Sequence, residues 1–173
     1  GAGSEQFSTG AIGDILLSDA LCEPGLQLVL MDLAIDRLAA PRRFAEHASA
    51  ALQRRPQIVA TTDLAEAVDG ADFVVTAIEV NRYLHWAQDF HIPRKYGFPQ
   101  IYGENGGPGG LFHALRNMGP MLEIAHAMER ACPDAWLVNY TNPEAKLVQA
   151  IAALTSIKTI GMCHGVFGGR ETV

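Results

Sequence analysis

Val138-Asn139-Tyr140-Thr141-Asn142-Pro143 closes one short apolar run, and about twenty residues later Gly161-Met162-Cys163-His164-Gly165 closes another. Each run reads as a parallel strand that ends in polar residues. In an open α/β sheet the carboxyl ends of the strands are where polar groups gather around a ligand, so the two ends locate the chemistry as well as the fold. Working outward, strand and helix signals alternate along the whole chain. Thr9 to Ala20 carries Ile12, Ile15, Leu16 and Leu17 at helical spacing, and Leu26 to Met31 is a continuous apolar run that stops at Asp32. Leu33 to Leu52 reads as a helix, Ile58 to Ala60 as a strand and Leu64 to Val68 as a short helix. Phe73 to Ile78, the most β-rich run, reads as an interior strand. Gly110 to Ala131, Ala135 to Val138, Glu144 to Leu154 and Lys158 to Gly161 continue as helix, strand, helix and strand. This order predicts a Rossmann-type, doubly wound parallel sheet of the lactate or malate dehydrogenase kind, with right-handed crossovers.

Two stretches depart from that rhythm. Residues 81 to 109, rich in Trp, Tyr, His, Pro and Gly, hold neither period and read as an irregular lid or binding loop. The chain also opens directly on Gly1-Ala2-Gly3-Ser4, a loop that normally follows a first hydrophobic strand, so the expectation is a sheet lacking its first strand.

The composition, 49% hydrophobic and 18% charged over 173 residues, gives bulk for one α/β domain. Thirteen basic and nineteen acidic residues leave a net charge of −6, with the basic residues scattered, which argues against a nucleic-acid partner. Three unpatterned cysteines, Cys22, Cys132 and Cys163, suit a reducing compartment, and no apolar run reaches membrane-spanning length, so the expected location is the cytoplasm.

Gly1-x-Gly3 permits close backbone approach to a pyrophosphate, with a helix N-terminus beneath the charge. Asp32, at the end of the next strand, can accept hydrogen bonds from a ribose and repel a 2′-phosphate. The third glycine of the usual fingerprint is missing. A tight strand-to-helix turn with a surface aspartate therefore stays beside dinucleotide binding as an alternative.

In order and spacing, the motifs resemble glycoside hydrolase family 4, the NAD-dependent glycosidases. They are Gly1-Ala2-Gly3-Ser4 with Phe7, Gly13-Asp14-Ile15-Leu16, Leu30-Met31-Asp32-Leu33 with Arg37-Leu38, and Ile92-Pro93 with Lys95-Tyr96-Gly97. Gly106-Gly107-Pro108-Gly109-Gly110 with Ala114-Leu115-Arg116, Asn139 to Pro143, and Cys163-His164 complete the set. The resemblance implies a bound NAD+ that takes hydride from C3 of the sugar, loss of the acidified C2 proton, expulsion of the glycosidic oxygen, addition of water and return of the hydride. It also implies a divalent ion, commonly manganese.

Residue by residue, the resemblance implies NAD contacts at Gly1, Gly3, Ser4, Phe7, Asp32, Arg37, Glu79 and Asn81, and a metal-ligating thiolate at Cys163. Taken alone, such a cysteine is more often a small buried hydrophobe. Sugar contacts are implied at Asn142 and His164, with Trp86 and Arg82 nearby. Asn142 also reads as an N-cap for a helix starting at Pro143. His126 reads as a surface residue, and neither it nor His113 is assigned to the metal. The second metal ligand and the C2 base are expected beyond Val173, which would make residues 1–173 a partial NAD-binding domain without its substrate domain.

Cys163-His164, Trp86 where phosphosugar enzymes place an arginine, and Glu104-Asn105 are similar to the branch acting on unphosphorylated α-galactosides, α-glucosides or α-galacturonides. The family also implies a dimer or tetramer. Two rivals stand: a 2-hydroxy-acid dehydrogenase, and a truncated segment that binds nucleotide poorly and lacks activity.

Overall fold

The computed structural model describes residues 1–4, 7–22 and 25–163. It forms two compact units, Gly1–Asp69 and Gly70–Val173. Among the described residues no helix is long and apolar enough to cross a membrane.

In the first unit, α1 (Ser8–Leu17) precedes β1 (Gln27–Met31), and α2 (Ala39–Ala51), β2 (Gln57–Thr61) and α3 (Leu64–Val68) follow. β1 and β2 run parallel, in register from Gln27 opposite Gln57 to Met31 opposite Thr61. Ile12 and Leu16, one helical turn apart, pack with Leu30, Leu38 and Ala45 to form the core. The single helix expected over 33 to 52 is instead a 3₁₀ turn, Ile35–Leu38, leading into α2. Pro41 explains the division: it has no N–H to donate, so it belongs in the first turn of an α-helix, where none is needed. Asp63 caps α3, accepting from the N–H groups of Ala65 (2.8 Å) and Glu66 (3.4 Å).

The second unit contains β3 (Phe73–Thr76), α4 (Arg82–Lys95), α5 (Gly107–Ala131), β4 (Trp136–Asn139), α6 (Glu144–Leu154) and β5 (Lys158–Gly161). The sheet order is β3-β4-β5, all parallel, with Thr76, Asn139 and Gly161 level at the carboxyl edge. Side chains alternate across the pleat. One face, with Leu137 and Asn139 fully buried, lies inside; the other leaves Phe73, Val75, Trp136 and Ile160 exposed. Met121, Ala125 and Met128 of α5 and Leu147 and Ile151 of α6 fill the interior.

Two expectations are corrected here. β3 is not an interior strand: it pairs with β4 on one side, and among the described residues its other edge has no strand. Residues 82 to 95 are not irregular. They form α4, which buries only Asp89 and Pro93 and leaves Tyr83, Leu84 and Ile92 exposed, so its apolar residues do not trace a helical face. The irregular part shrinks to residues 96 to 106.

Candidate functional site

At the carboxyl edge of β3-β4-β5 the ladder gives way to a buried polar clamp. Thr76 Oγ1 (3.0 Å) and the Thr141 N–H (2.9 Å) both donate to Asn139 Oδ1, and Asn139 Nδ2 donates to the Thr141 carbonyl (3.0 Å). The Ile78 N–H reaches Thr141 Oγ1 at 3.0 Å, and the Met162 N–H reaches the Asn139 carbonyl at 2.9 Å. Every hydrogen-bonding group of the Asn139 amide except one N–H is thereby matched in a site with no access to water, as a buried polar side chain requires.

From α5, the almost wholly buried Asn117 joins two loops: its Oδ1 accepts the Val80 N–H (3.0 Å) and its Nδ2 donates to the Asn142 carbonyl (3.2 Å). Asn142 is thus held by its backbone. The helix after it begins at Glu144 with Pro143 in the cap position and no side-chain cap, so the expected N-cap role of Asn142 does not hold. Proline fits that position because it needs no N–H partner there.

Glu79 and Asn81 follow β3. Asn81 adopts a left-handed backbone, φ 49°, immediately before α4, a conformation that asparagine tolerates better than most residues. Glu79 is half-buried; its Oε2 accepts from Arg82, and its Oε1 is buried with no hydrogen-bond partner, 3.6 Å from His113 Nε2. His113 Nδ1 lies 3.2 Å from Asp89 Oδ2, which also accepts from Arg116. The Arg82 guanidinium lies over the Trp86 ring, 5.6 Å from its centroid; that ring stacks on Phe90, and its N–H donates to Glu104.

The histidine, aspartate and asparagine of this arrangement were not picked out as site residues from the sequence. The available signal was that Asn117 and Arg116 stand four and three residues after His113, one helical turn away and so beside it on α5.

Cys163 stands two residues beyond β5 and is exposed, not packed among apolar side chains, and His164 lies outside the described residues. An exposed cysteine sulfur there is available to a cation that keeps open coordination positions. It is one donor: among the described residues no group of three or more His, Cys, Asp or Glu side chains could hold a metal. His126 is exposed, as expected, and bonds Glu129. With the Ser156 N–H and hydroxyl donating to the same carboxylate, the Glu129 carboxyl is pulled down to about 2.

In the first unit the nitrogens of Gly1 (2.9 Å) and Ala2 (2.8 Å) bond the Met31 carbonyl at the end of β1, and the Ser4 N–H bonds the Gly1 carbonyl. The Gly3 N–H donates to Asp32 Oδ2 (3.0 Å), and the Ala34 N–H to Oδ1 (3.1 Å). A Cβ on Gly3 would fall 2.7 Å from Arg37 Cβ and 2.8 Å from Asp32 Oδ2, so the loop closes on these two residues only if position 3 is glycine. Four of the expected contacts, Gly1, Gly3, Asp32 and Arg37, are therefore neighbours. Ser4 Oγ accepts the Phe7 N–H (3.3 Å) at the start of α1. Each Asp32 oxygen has given one lone pair to the backbone and keeps another, the number a ribose diol would use.

The profile of the family 4 glycosyl hydrolases matches residues 1–173. An α-glucosidase of Erwinia rhapontici is 43% identical over 169 residues, 96% of this chain and 37% of that protein. An α-galactosidase of Bacillus subtilis is 39% identical over 167 residues, 96% of this chain and 38% of that protein. The solved structure of a 6-phospho-α-glucosidase from gut microorganisms, in complex with NAD and Mn2+, superimposes with a TM-score of 0.78 at 26% identity, over 94% of this chain and 37% of the other. The chain spans less than two-fifths of the length of these three relatives. With its parallel sheets, its helical crossovers and a match along its full length, the chain belongs to the family 4 glycosyl hydrolases.

Proposed function

We propose that residues 1–173 are the NAD-binding part of an enzyme that hydrolyses the O-glycosidic bond of an unphosphorylated α-glycoside or uronide. The observation that carries this reading is the gathering of Glu79, Asn142 and an exposed Cys163 at the ends of three adjacent parallel strands. NAD+ and a divalent ion, Mn2+ in the first instance, supply when bound a hydride acceptor and a Lewis acid.

The chain's own residues then have separable tasks. Asp32 accepts the ribose hydroxyls, and its charge disfavours a 2′-phosphate, with Gly1, Gly3, Ser4, Phe7 and Arg37 completing that contact. Glu79 and Asn81 bind on the nicotinamide side, Asn142 and His164 orient sugar hydroxyls, and the Cys163 sulfur would hold the ion. Trp86 and Arg82 recognise the sugar. Arg82 is already paired with Glu79, and the indole N–H with Glu104, so this corner carries two carboxylates against one guanidinium. A dianionic phosphate is repelled there, a neutral sugar is not, and a single sugar carboxylate can compete for Arg82. The base and the second metal ligand are assigned to no residue of this chain. The family resemblance supports a cytoplasmic enzyme of two or four identical subunits.

The test is a screen of the full-length protein on nitrophenyl α-galactosides, α-glucosides, uronides and their 6-phospho forms, with NAD+ and Mn2+ added or withheld. Turnover of an unphosphorylated substrate that needs both additives, without build-up of NADH, is expected. Preference for the 6-phospho forms refutes the substrate class, and NADH accumulating from 2-hydroxy acids refutes the glycosidase reading altogether. Cys163→Ser is expected to abolish Mn2+ binding, read by electron paramagnetic resonance, and to leave NAD+ affinity within about twofold of wild type, since the thiol is assigned to the ion and not to the cofactor.

A further inference from the structure

His113 is 3% exposed and sits between two carboxylates, with Asp89 Oδ2 at 3.2 Å from Nδ1 and Glu79 Oε1 at 3.6 Å from Nε2. A neutral imidazole has one N–H and one lone pair. If Nδ1 gives its proton to Asp89, Nε2 turns a lone pair toward Glu79; only the imidazolium donates to both. The spacing matches that asymmetry, with one contact at bonding distance and the other just beyond it. The remaining charges facing this group are Arg116 on its own helix, which bonds Asp89, and Arg82 on α4, which bonds the other oxygen of Glu79. Glu79 Oε1 is left buried with no hydrogen-bond partner, so the orientation of its carboxylate depends on what His113 presents to it.

We propose that His113, clamped by Asp89 and Arg116, is a positioning residue that sets the carboxylate of Glu79 through Nε2. This rests on the reading above, in which Glu79 contacts the cofactor. Protonation of His113 adds the missing hydrogen bond, fixes Glu79 and strengthens NAD+ binding toward acid pH.

The experiment measures NAD+ affinity of the full-length protein by calorimetry between about pH 5.5 and 8, the range in which histidine changes charge. Wild type is expected to bind more tightly at the acid end. His113→Ala is expected to weaken binding about tenfold at that end and to abolish the pH step, the size of effect expected for a lost hydrogen bond to a charged group. His113→Gln, whose amide can still donate toward Glu79, is expected to recover affinity to within about threefold and to show no pH step. Asp89→Asn serves as the second variant, whether or not His113→Ala folds; with the anionic clamp removed, its step moves to lower pH.

An unchanged affinity in His113→Ala, or a His113→Gln protein as weak as His113→Ala, overturns the positioning role. So does a pH step in Asp89→Asn that stays where it is in wild type. Failure of the wild-type protein to bind NAD+ at any pH overturns the functional reading instead, so the two failures are distinct.

Discussion

Gly109→Ala sets two opposing effects against each other in the first turn of α5. Ala is the better helix former by about 1 kcal/mol, so propensity alone makes the change stabilising. The packing opposes it. A Cβ on Gly109 would lie 2.1 Å from the Asp89 carbonyl oxygen and 2.6 Å from Gln100 Nε2. The glutamine amide can swing away, although it then loses its bonds to the Tyr102 and Gly106 carbonyls. The Asp89 backbone cannot move alone. To reach ordinary contact at 3.4 Å, α4 must withdraw by 3.4 − 2.1 = 1.3 Å. If Asp89 moves with it, its 3.2 Å bond to His113 passes out of range. Overpacking of this kind costs about 1 to 3 kcal/mol. A weakened buried bond to a charged group costs about 1.5 to 3 kcal/mol more. Set against the gain in propensity, the net is a loss of about 3 kcal/mol, which for a chain of this size lowers the melting temperature by about 6 to 12 °C. Thermal unfolding followed by circular dichroism, with urea titration beside it, reads both quantities. A Gly109→Ala protein that melts within about 2 °C of wild type would refute the close approach of α4 and α5.

Gly13→Ala in α1, where an added Cβ meets nothing within 4 Å, should raise stability by about 0.5 to 1 kcal/mol in a urea titration, the opposite sign to Gly109→Ala. Asn139→Ala strips partners from Thr76 Oγ1 and from both backbone groups of Thr141, and should cost about 3 kcal/mol by the same titration. Glu129 has a carboxyl lowered from 4.5 to about 2 in the folded protein, so its stabilisation is complete above about 4.5 and is lost as pH falls through about 2. Glu129→Gln should therefore remove that part of the acid dependence; melting curves across this window that match wild type would count against the His126 and Ser156 contacts.

The alternation of strands and helices was legible because buried parallel strands are continuous apolar runs, and Lys158–Gly161, Glu144–Leu154 and Leu64–Val68 fall where the pattern puts them. α4 was not legible, since the residues it buries include a charged aspartate and a proline, which do not register as an apolar face. α5 begins three residues earlier than its hydrophobic period suggests because Pro108 in the first turn favours helix entry. In the site, the strand-end motifs marked Asn142 and Cys163 as neighbours on one edge, and Glu79 entered only through the family resemblance. The bond that holds Asn142 did not show, because Asn117 and Asn142 are 25 residues apart, and neither did the buried pairs Thr76–Asn139 and Asp89–His113, 63 and 24 residues apart. Periodicity describes one element at a time and carries no information on which polar residues of different elements meet.

Asn117 touches the backbone after β3 with its oxygen and the backbone after β4 with its nitrogen. One amide therefore yokes two loops, and neither can be retuned on its own. A substitution that shifts one of them is transmitted through a single rigid group to the other, so pairs of changes on the two loops should combine non-additively, and drift at either is constrained by the state of its counterpart.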